Sequence, residues 1–522
     1  MGNNTNNAKI ARNTMALYIR MGITMIISFI SARVILQILG VEDYGLNNVV
    51  ASVVSLFGFI NGSLGTAVQR FYSIEIGKRN ESALSRIFST GLFLHIMVAG
   101  ITLVIAEIFA IFYLSKLNIP QERMFAAQCV FQISIVSMLL NIVNVPYAAL
   151  LRSREEFSKI AIFDILQAFL RLGVLYALYQ ISFDKLITLS LLNFAITLFY
   201  VLSLTILARN FKEARGAIKY DNALVKKMIK FISMLIFTVL ASLFNKQGIV
   251  ILVNLFFGLT INAAYAIAFQ VSTIVETFAM NFKQSVVPQL MSAYGSYDRV
   301  RMNKLMFLGT KITFLLMLIV SIPIMFESKV VLDIWLKEPP RFAATFTALI
   351  LISANVETFS YFIYNAVHAS GNISRQQIFI SLSYVLSIIV IFLYFKFGSN
   401  FYFAVYVPIV FAIIRNIITV YSAKKAINLD VKYYVVHVVG RSILLSALIV
   451  SIAYLITLLL KASYMRLLLI LIINALITLL GGYFILTNKE ERNSIKSLLL
   501  IFVLSLKSKF NSNVIKNNSQ VE

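Results

Sequence analysis

The chain has 522 residues, of which 59% are hydrophobic and only 13% are charged, and its formal net charge is +24. About a quarter of the residues of a soluble protein are charged, so this composition excludes an ordinary globular protein in water. It indicates that the lipid bilayer is part of the solvent. An excess of Lys and Arg is typical of loops on the cytoplasmic side of a membrane, which favours a membrane protein over a nucleic-acid-binding one.

Metal and disulfide chemistry are not indicated by the sequence. Cys129 is the single cysteine, and His95, His368 and His437 are scattered without metal-binding spacing, so we expect no intrachain disulfide, metal site or cofactor. The polar, Asn-rich start (1–13) is not followed by the pattern of a cleavable signal peptide. We therefore expect the first apolar segment to be retained as a membrane span.

Fourteen segments are apolar and long enough to cross the bilayer, which requires about 20 residues of helix. In chain order they are Thr14–Leu39, Tyr44–Thr66, Ile87–Phe112, Phe125–Leu150, Ile160–Ile181, Leu186–Ala208, Phe231–Phe256, Leu259–Phe282, Lys304–Phe326, Phe342–Val367, Gln376–Phe395, Phe401–Tyr421, Val438–Leu460 and Met465–Leu486. The sequence thus predicts an all-α polytopic membrane protein with about fourteen transmembrane helices.

The distribution of charge predicts the orientation of the chain. An even number of spans places both termini on one side, and about 32 Lys and Arg fall on that side against about nine on the other. By the positive-inside rule, both termini are expected in the cytoplasm.

A basic connection divides the first twelve spans into two sets of six. The predicted units are an N-terminal six-helix bundle, a basic cytoplasmic linker, a C-terminal six-helix bundle, two additional transmembrane helices and a cytoplasmic tail, at 1–208, 209–230, 231–421, 422–486 and 487–522. Gly40 and Gly258 open the second and eighth spans, which indicates a weak internal repeat. Parallel repeats of this kind are found in transporters that bind their substrate between the halves.

Charged residues inside spans are functional candidates, because each costs roughly 2.5–3.5 kcal/mol on insertion. Arg20 heads a polar stripe with Thr24, Ser28 and Ser31, since these positions fall on one face of a helix. That face lines either a cavity or a helix interface, and we favour a cavity because an interface rarely needs an arginine. Lys246 lies past the middle of span seven, too deep to reach the surface easily, and is a second candidate for substrate binding.

The other intramembrane charges have a structural and a functional interpretation. Arg33 lies on roughly the opposite face of span one, while Asp164 and Arg171 share a face of span five, about 10 Å apart along the axis. Glu276 and Glu357 either bind a coupling proton or sodium ion or neutralise an arginine. With Arg415 and Glu107, the residues singled out here are five cations and four anions. This balance mildly favours an anionic substrate such as a pyrophosphate, which needs several charge-assisted donors.

Four segments carry a family resemblance: the opening NTMALYIRMGITMIISFISARVILQILGVEDYGLNNVV with its LG-x-x-DYG motif, then FGFINGSLGTAVQRFYS, NVPYAALLRSREEFSKIAIFDILQAFLRL and AYAIAFQVSTIVETFAMNFKQSVVPQLMSAYG. They resemble the corresponding segments of bacterial Wzx-type polysaccharide flippases of the multidrug/oligosaccharidyl-lipid/polysaccharide (MOP) exporter superfamily. The resemblance covers nearly the whole chain, although its motifs are soft. It implies two six-helix bundles of MATE-like type around a V-shaped cavity, plus two C-terminal helices.

The resemblance also implies a function. The substrate would be an undecaprenyl-pyrophosphate-linked oligosaccharide, moved from the cytoplasmic to the periplasmic leaflet of the inner membrane for O-antigen, capsule or similar glycan synthesis. Arg20 and Lys246 fit the family's cationic cavity, whereas Arg33 and Arg171 fit it less well. Glu276 departs from a purely cationic lining and leaves room for coupling to H⁺ or Na⁺. The chain would be a transporter rather than an enzyme, in transient contact with a glycan polymerase. Because one chain can form the whole pathway, we expect a monomer by default.

Three alternatives remain at this stage. A MATE-like antiporter for organic cations predicts twelve spans and essential carboxylates such as Glu276 or Glu357. A membrane glycan polymerase or ligase usually needs a long external loop, and none is predicted here. A lipid II flippase is a close relative of the first interpretation.

Overall fold

The computed structural model describes residues 2–55, 58–113, 120–215, 220–336, 338–398, 400–488 and 491–492. The principal helices in these ranges are α1 (Gly2–Ser55), α2 (Gly58–Gly77), α3 (Glu81–Tyr113), α4 (Met124–Ser153), α5 (Phe157–Ala177), α6 (Lys185–Ala208), α7 (Asn222–Gly295), α8 (Arg299–Phe326), α9 (Ser328–Leu336), α10 (Ala343–Thr358), α11 (Tyr361–Ser370), α12 (Ser374–Phe397), α13 (Phe403–Ile427), α14 (Val431–Tyr433), α15 (Arg441–Leu459) and α16 (Tyr464–Gly481). The described part contains no strand, which confirms the predicted all-α polytopic class.

Eleven helical stretches in the described ranges are long and apolar enough to cross a membrane. One of them is α7, whose 74 residues would extend about 110 Å as a straight helix. Gly258, at φ +78°, breaks α7 into two arms, which hold the predicted spans seven and eight. Gly40, at φ +74°, breaks α1 in the same way. The remaining ten stretches each hold one predicted span, and the first two predicted spans fall in α1 and α2.

The two halves repeat at a fixed spacing. Gly258 follows Gly40 by 218 residues, and the same interval separates Gly295 at the end of α7 from Gly77 at the end of α2. Both breaks need glycine, because φ near +75° is costly for a residue with a Cβ atom. The structure therefore repeats a broken helix that leads to a glycine-ended second span.

Among the described residues, buried contacts join the halves at one end only. We call this end, formed by the turns 78–80, 154–156 and 296–298, the basic end, because Lys and Arg cluster there. Here α2 packs along the second arm of α7, and one apolar cluster includes Tyr72 and Leu290 from opposite halves. In the ranges given above, the clusters nearer the opposite end belong to single halves. The described halves thus share a buried core at the basic end and have separate cores towards the other end.

The last two long helices pack on α8 in the C-terminal half. Near the middle of α16, Asn474 donates hydrogen bonds to the carbonyl oxygens of Leu318 and Ile319 at 3.1 and 3.0 Å. A buried ion pair joins Lys311 of α8 to Glu491 at 2.9 Å. Most of the predicted cytoplasmic tail (487–522) lies outside the described residues.

Candidate functional site

A cavity of about 1370 Å³ lies among the helices of the N-terminal half, against the second arm of α7. Its walls come from α1, α4, α5 and α6, and from the second arm of α7. Neutral hydroxyl and amide side chains form much of the lining, among them Ser28, Ser31, Ser137, Asn141 and Asn193. The predicted polar face of span one therefore does face a cavity, and α4 and α6 supply most of the opposing polar wall.

Arg20 is held at the cavity wall by one partner on α5 and one on the second arm of α7. Its Nη1 donates to Asp164 Oδ2 at 2.8 Å, and its Nη2 donates to Asn281 Oδ1 at 3.2 Å. The Tyr200 hydroxyl donates to the other carboxylate oxygen, Asp164 Oδ1, at 2.8 Å. Two residues that the sequence marked separately thus form one ion pair between α1 and α5, with about a fifth of each side chain exposed.

Two further arginines line the cavity without a carboxylate partner. In the described part of the chain, neither Arg152 nor Arg171 forms an ion pair, and both side chains are exposed. The charged lining residues are therefore three arginines and Asp164, a net charge of +2. Because an arginine fork suits phosphate oxygens, these two guanidinium groups are available for an anionic ligand.

Arg152 was missed by sequence reasoning, which assigned it to a cytoplasmic connection. It lies in the last turn of α4, where cations are usually solvated. The available signal was its spacing from Asn141, Asn144 and Ala148, which places all four on one helical face. All four residues line the cavity.

The other predicted site residues lie outside this cavity. Lys246 is exposed on the first arm of α7, with its Nζ 5.4 Å from the centre of the Phe269 ring. Glu276 accepts a hydrogen bond from Ser272 at 2.9 Å, and Glu357 pairs with Arg415 at 2.5 Å. These groups belong to the C-terminal half and do not meet Arg20. The side chain of Arg33 is outside the described part of the structure.

The position of Arg20 carries no charge in the other half. The repeat places Thr238 of α7 where the N-terminal half has Arg20, and Thr238 contacts Ser381 of α12, which lies next to Leu382, the residue 218 positions after Asp164. These two hydroxyl groups form a hydrogen bond at 2.9 Å. A neutral bond in one half thus corresponds to an ion pair in the other. Among the described residues, no group of His, Cys, Asp and Glu is arranged to hold a metal ion.

A family model and several solved structures match this chain, and all of them are MATE or MOP superfamily proteins. The MatE family model matches residues 16–177, about a third of the chain. A crystal structure of MATE in the straight conformation aligns with a TM-score of 0.68 at 12% identity, covering 80% of this chain and 95% of that one. An outward-facing multidrug resistance MATE family transporter of the MOP superfamily aligns with a TM-score of 0.68 at 11% identity, covering 81% and 96%.

A third similar structure is a MOP superfamily transporter from Pyrococcus furiosus Vc1 (DSM3638), described as having a binding pocket of reverse polarity that suggests a different function. It aligns with a TM-score of 0.66 at 12% identity, covering 80% of this chain and 94% of that one. No curated protein sequence matches the chain significantly. The chain thus has the fold of MATE transporters, and these matches support the resemblance to the MOP superfamily.

Proposed function

We propose that this chain moves an undecaprenyl-pyrophosphate-linked oligosaccharide across a bacterial inner membrane during synthesis of a surface polysaccharide such as O-antigen or capsule. The observation that supports this most directly is the net charge of +2 in a cavity lined mainly by neutral polar groups. The MATE fold supports the broader conclusion that the chain transports a substrate through the membrane.

The cavity has the chemistry that such a substrate needs. A pyrophosphate entering the protein loses water and requires charge-assisted donors. Arg152 and Arg171 donate to no carboxylate among the residues that the structure describes. Sugar hydroxyl groups require many neutral hydrogen-bonding partners, which the Ser and Asn lining provides. The volume exceeds that of typical small-ligand pockets, roughly 300–1,000 Å³, and accommodates several sugar units.

Transport would follow alternating access. With the basic end in the cytoplasm, as the positive-inside rule requires, the closed basic end corresponds to an outward-facing state. The polyprenyl tail remains in lipid while the charged head and glycan enter the cavity. Lys246 and Arg33 are proposed as further phosphate ligands in other states of the cycle, and Glu276 and Glu357 as sites for a coupling H⁺ or Na⁺.

An ion-coupled antiporter of organic cations is the alternative, because the same fold serves that function in multidrug transporters. It would place the essential chemistry in Asp164, Glu276 or Glu357. The excess of arginine in the cavity counts against it, because cationic ligands favour carboxylates and aromatic rings.

Deleting the gene tests the proposal. We expect loss of one surface polysaccharide, accumulation of its lipid-linked unit on the cytoplasmic face, and recovery with the wild-type gene. Intact polysaccharides combined with new sensitivity to cationic drugs would replace the proposal with the antiporter.

A further inference from the structure

The halves touch through two glycines at the basic end. We call this contact between α2 and the second arm of α7, around Gly77 and Gly295, the seam. A methyl group on Gly77, the last residue of α2, would lie 2.0 Å from the carbonyl oxygen of Ser292 on α7. A methyl group on Gly295, the last residue of α7, would lie 2.2 Å from the carbonyl oxygen of Ile74 on α2. The contact is reciprocal and involves backbone only, so the helices cannot keep this separation with any larger residue at either position.

Arg70 crosses the same seam from α2. Its Nε donates to the carbonyl oxygen of His368, and its Nη2 donates to that of Ala369 at 2.9 Å. These carbonyls belong to the last turn of α11 in the opposite half, where a cation also interacts favourably with the helix dipole. The guanidinium lies over the Phe231 ring, 4.7 Å from its centre, and Arg70 is only 5% exposed.

The opposite half makes a corresponding contact. Gln289 of α7 donates through Nε2 to Glu155 Oε2 at 2.9 Å, and Glu155, at φ +62°, lies in the turn after α4. Gly371, at φ +78°, lies in the turn after α11, and a methyl group there would be 2.6 Å from Arg70 Nη2. Each half therefore sends one side chain from its second span into the turn that follows the fourth span of the other half.

We propose that Gly77, Gly295 and Arg70 form a gate that closes the basic end of the transport pathway, and that Arg70 is the positioning residue whose release from α11 allows this end to open. The inference rests on the proposed function only in assuming a transport pathway. Opening the basic end requires α2 and α7 to separate. At the two glycines the backbones of α2 and α7 are in direct contact, with no side chain between them. Any added atom there must push the helices apart and therefore favours the open state.

Thiol labelling of a buried position at the seam tests the gate. Ser285 on α7 is 0% exposed and its Oγ lies 2.8 Å from Thr14 Oγ on α1. In a Cys129→Ser background, Ser285→Cys reports opening through its reaction with a membrane-impermeant maleimide added from the basic side. We expect Gly77→Ala, Gly295→Ala and Arg70→Gln each to raise the labelling rate about tenfold, a shift of about 1.4 kcal/mol in the closed–open equilibrium.

Gly100→Ala is the matched control, since a methyl group there has nothing within 4 Å, and its labelling rate should equal that of the parent. Unchanged labelling in Gly77→Ala and Arg70→Gln, at normal membrane abundance, would overturn the gate. The labelling requires no substrate. Faster labelling in these variants, together with intact polysaccharides after gene deletion, would support the gate and reject the proposed substrate.

Discussion

Asp164 and a substrate phosphate would compete for the same guanidinium group. Arg20 already donates to Asp164 and Asn281, so an anion entering the cavity either displaces the carboxylate or binds beside it. Arg152 and Arg171 require no such exchange, because neither has an ion-pair partner among the described residues. Of the three arginines, Arg20 is therefore already paired with a carboxylate, and the other two have no carboxylate partner among the described residues.

Removing Arg20 should impair both stability and transport. Arg20→Ala leaves the carboxylate of Asp164 half-buried without its cation, which is costly, so we expect lower membrane abundance and loss of polysaccharide. The double variant Arg20→Ala/Asp164→Ala should recover abundance but not polysaccharide, as measured by fluorescence size exclusion and by surface glycan staining. Recovery of both in the double variant would show that the pair is structural only.

Arg152 should affect transport without affecting folding. Because it forms no ion pair in the described structure, Arg152→Ala should leave abundance near that of wild type while reducing transport at least about tenfold, with Arg152→Lys intermediate. Arg86→Ala, at a side chain that is 61% exposed, serves as the arginine control. Transport by Arg152→Ala at the rate of Arg86→Ala would remove Arg152 from the proposed site.

For single residues, the sequence could predict which side chains share a face of a helix, but not which side chains they contact on other helices. The spacing of Arg20, Thr24, Ser28 and Ser31 was sufficient to predict a polar cavity face in α1. The pairing of Arg20 with Asp164 depends on which helices are neighbours, which one sequence does not reveal. Lys311 was not singled out, although it is 1% exposed, because its partner Glu491 lies 180 residues away.

Among the elements, α1 depends on a backbone conformation that only glycine adopts easily. Gly40 is at φ +74° and ψ 176°, a region that essentially only glycine occupies, and a methyl group there would have nothing within 4 Å. Gly40→Ala should therefore destabilise the protein by about 1–3 kcal/mol through the backbone alone. Gly22→Ala in the same helix is also unobstructed and should be neutral or stabilising by about 0.5–1 kcal/mol. Thermal unfolding in detergent measures both, and equal melting temperatures would contradict the argument.

Arg123 binds the segment that follows the break at Gly40 to the start of α6. Its Nε and Nη2 donate to Asp43 at 2.8 and 2.5 Å, and its Nη1 donates to Asp184 at 2.5 Å. Burial alone would raise the pKa of the Asp184 carboxyl. The backbone N–H groups of Ile187 and Leu186, together with Arg123, outweigh burial and hold this pKa below its ordinary value. The charged form of Asp184 therefore stabilises the fold.

The contribution of Asp184 should depend on pH in a defined direction. Because the pKa is lowered in the folded state, the stabilisation is present above the ordinary Asp value of about 3.9 and is lost as the pH falls through the folded value. Asn is an equivalent N-cap residue, so Asp184→Asn removes the charge alone. Its melting temperature should be below that of wild type at pH 7, with the difference shrinking towards pH 3. A difference that persists undiminished at pH 3 would contradict a charge effect.

The positions of the spans followed from hydropathy because each crossing needs a fixed length of apolar helix. Hydropathy did not predict where the cavity lies. The sequence placed both Arg20 and Lys246 at the substrate, whereas the structure puts Arg20 in a cavity of the N-terminal half and Lys246 in the other half. Which faces meet depends on helix packing, and hydropathy carries little information about packing when lipid and protein neighbours are equally apolar.

The molecule as a whole should move as two bodies, with α15 and α16 attached to the C-terminal half. Buried ion pairs fix this hairpin at both ends, from Lys311 to Glu491 and from Arg466 to Glu327. Asn474 bonds to α8 between them. The contacts that must break during transport are then those between the halves at the basic end.

Two hydroxyl pairs of nearly equal geometry allow this motion to be tested. Thr14 and Ser285 belong to opposite halves with their Oγ atoms 2.8 Å apart, whereas Thr238 and Ser381 lie within the C-terminal half at 2.9 Å. In a Cys129→Ser background, each pair replaced by cysteines should form a disulfide under mild oxidation.

The Thr14→Cys/Ser285→Cys bridge should block transport until it is reduced, because it holds the halves together. The Thr238→Cys/Ser381→Cys bridge should leave transport intact, because its two helices move as one body. Inhibition by both bridges would show that the C-terminal half deforms internally, and inhibition by neither would show that the basic end stays closed throughout transport.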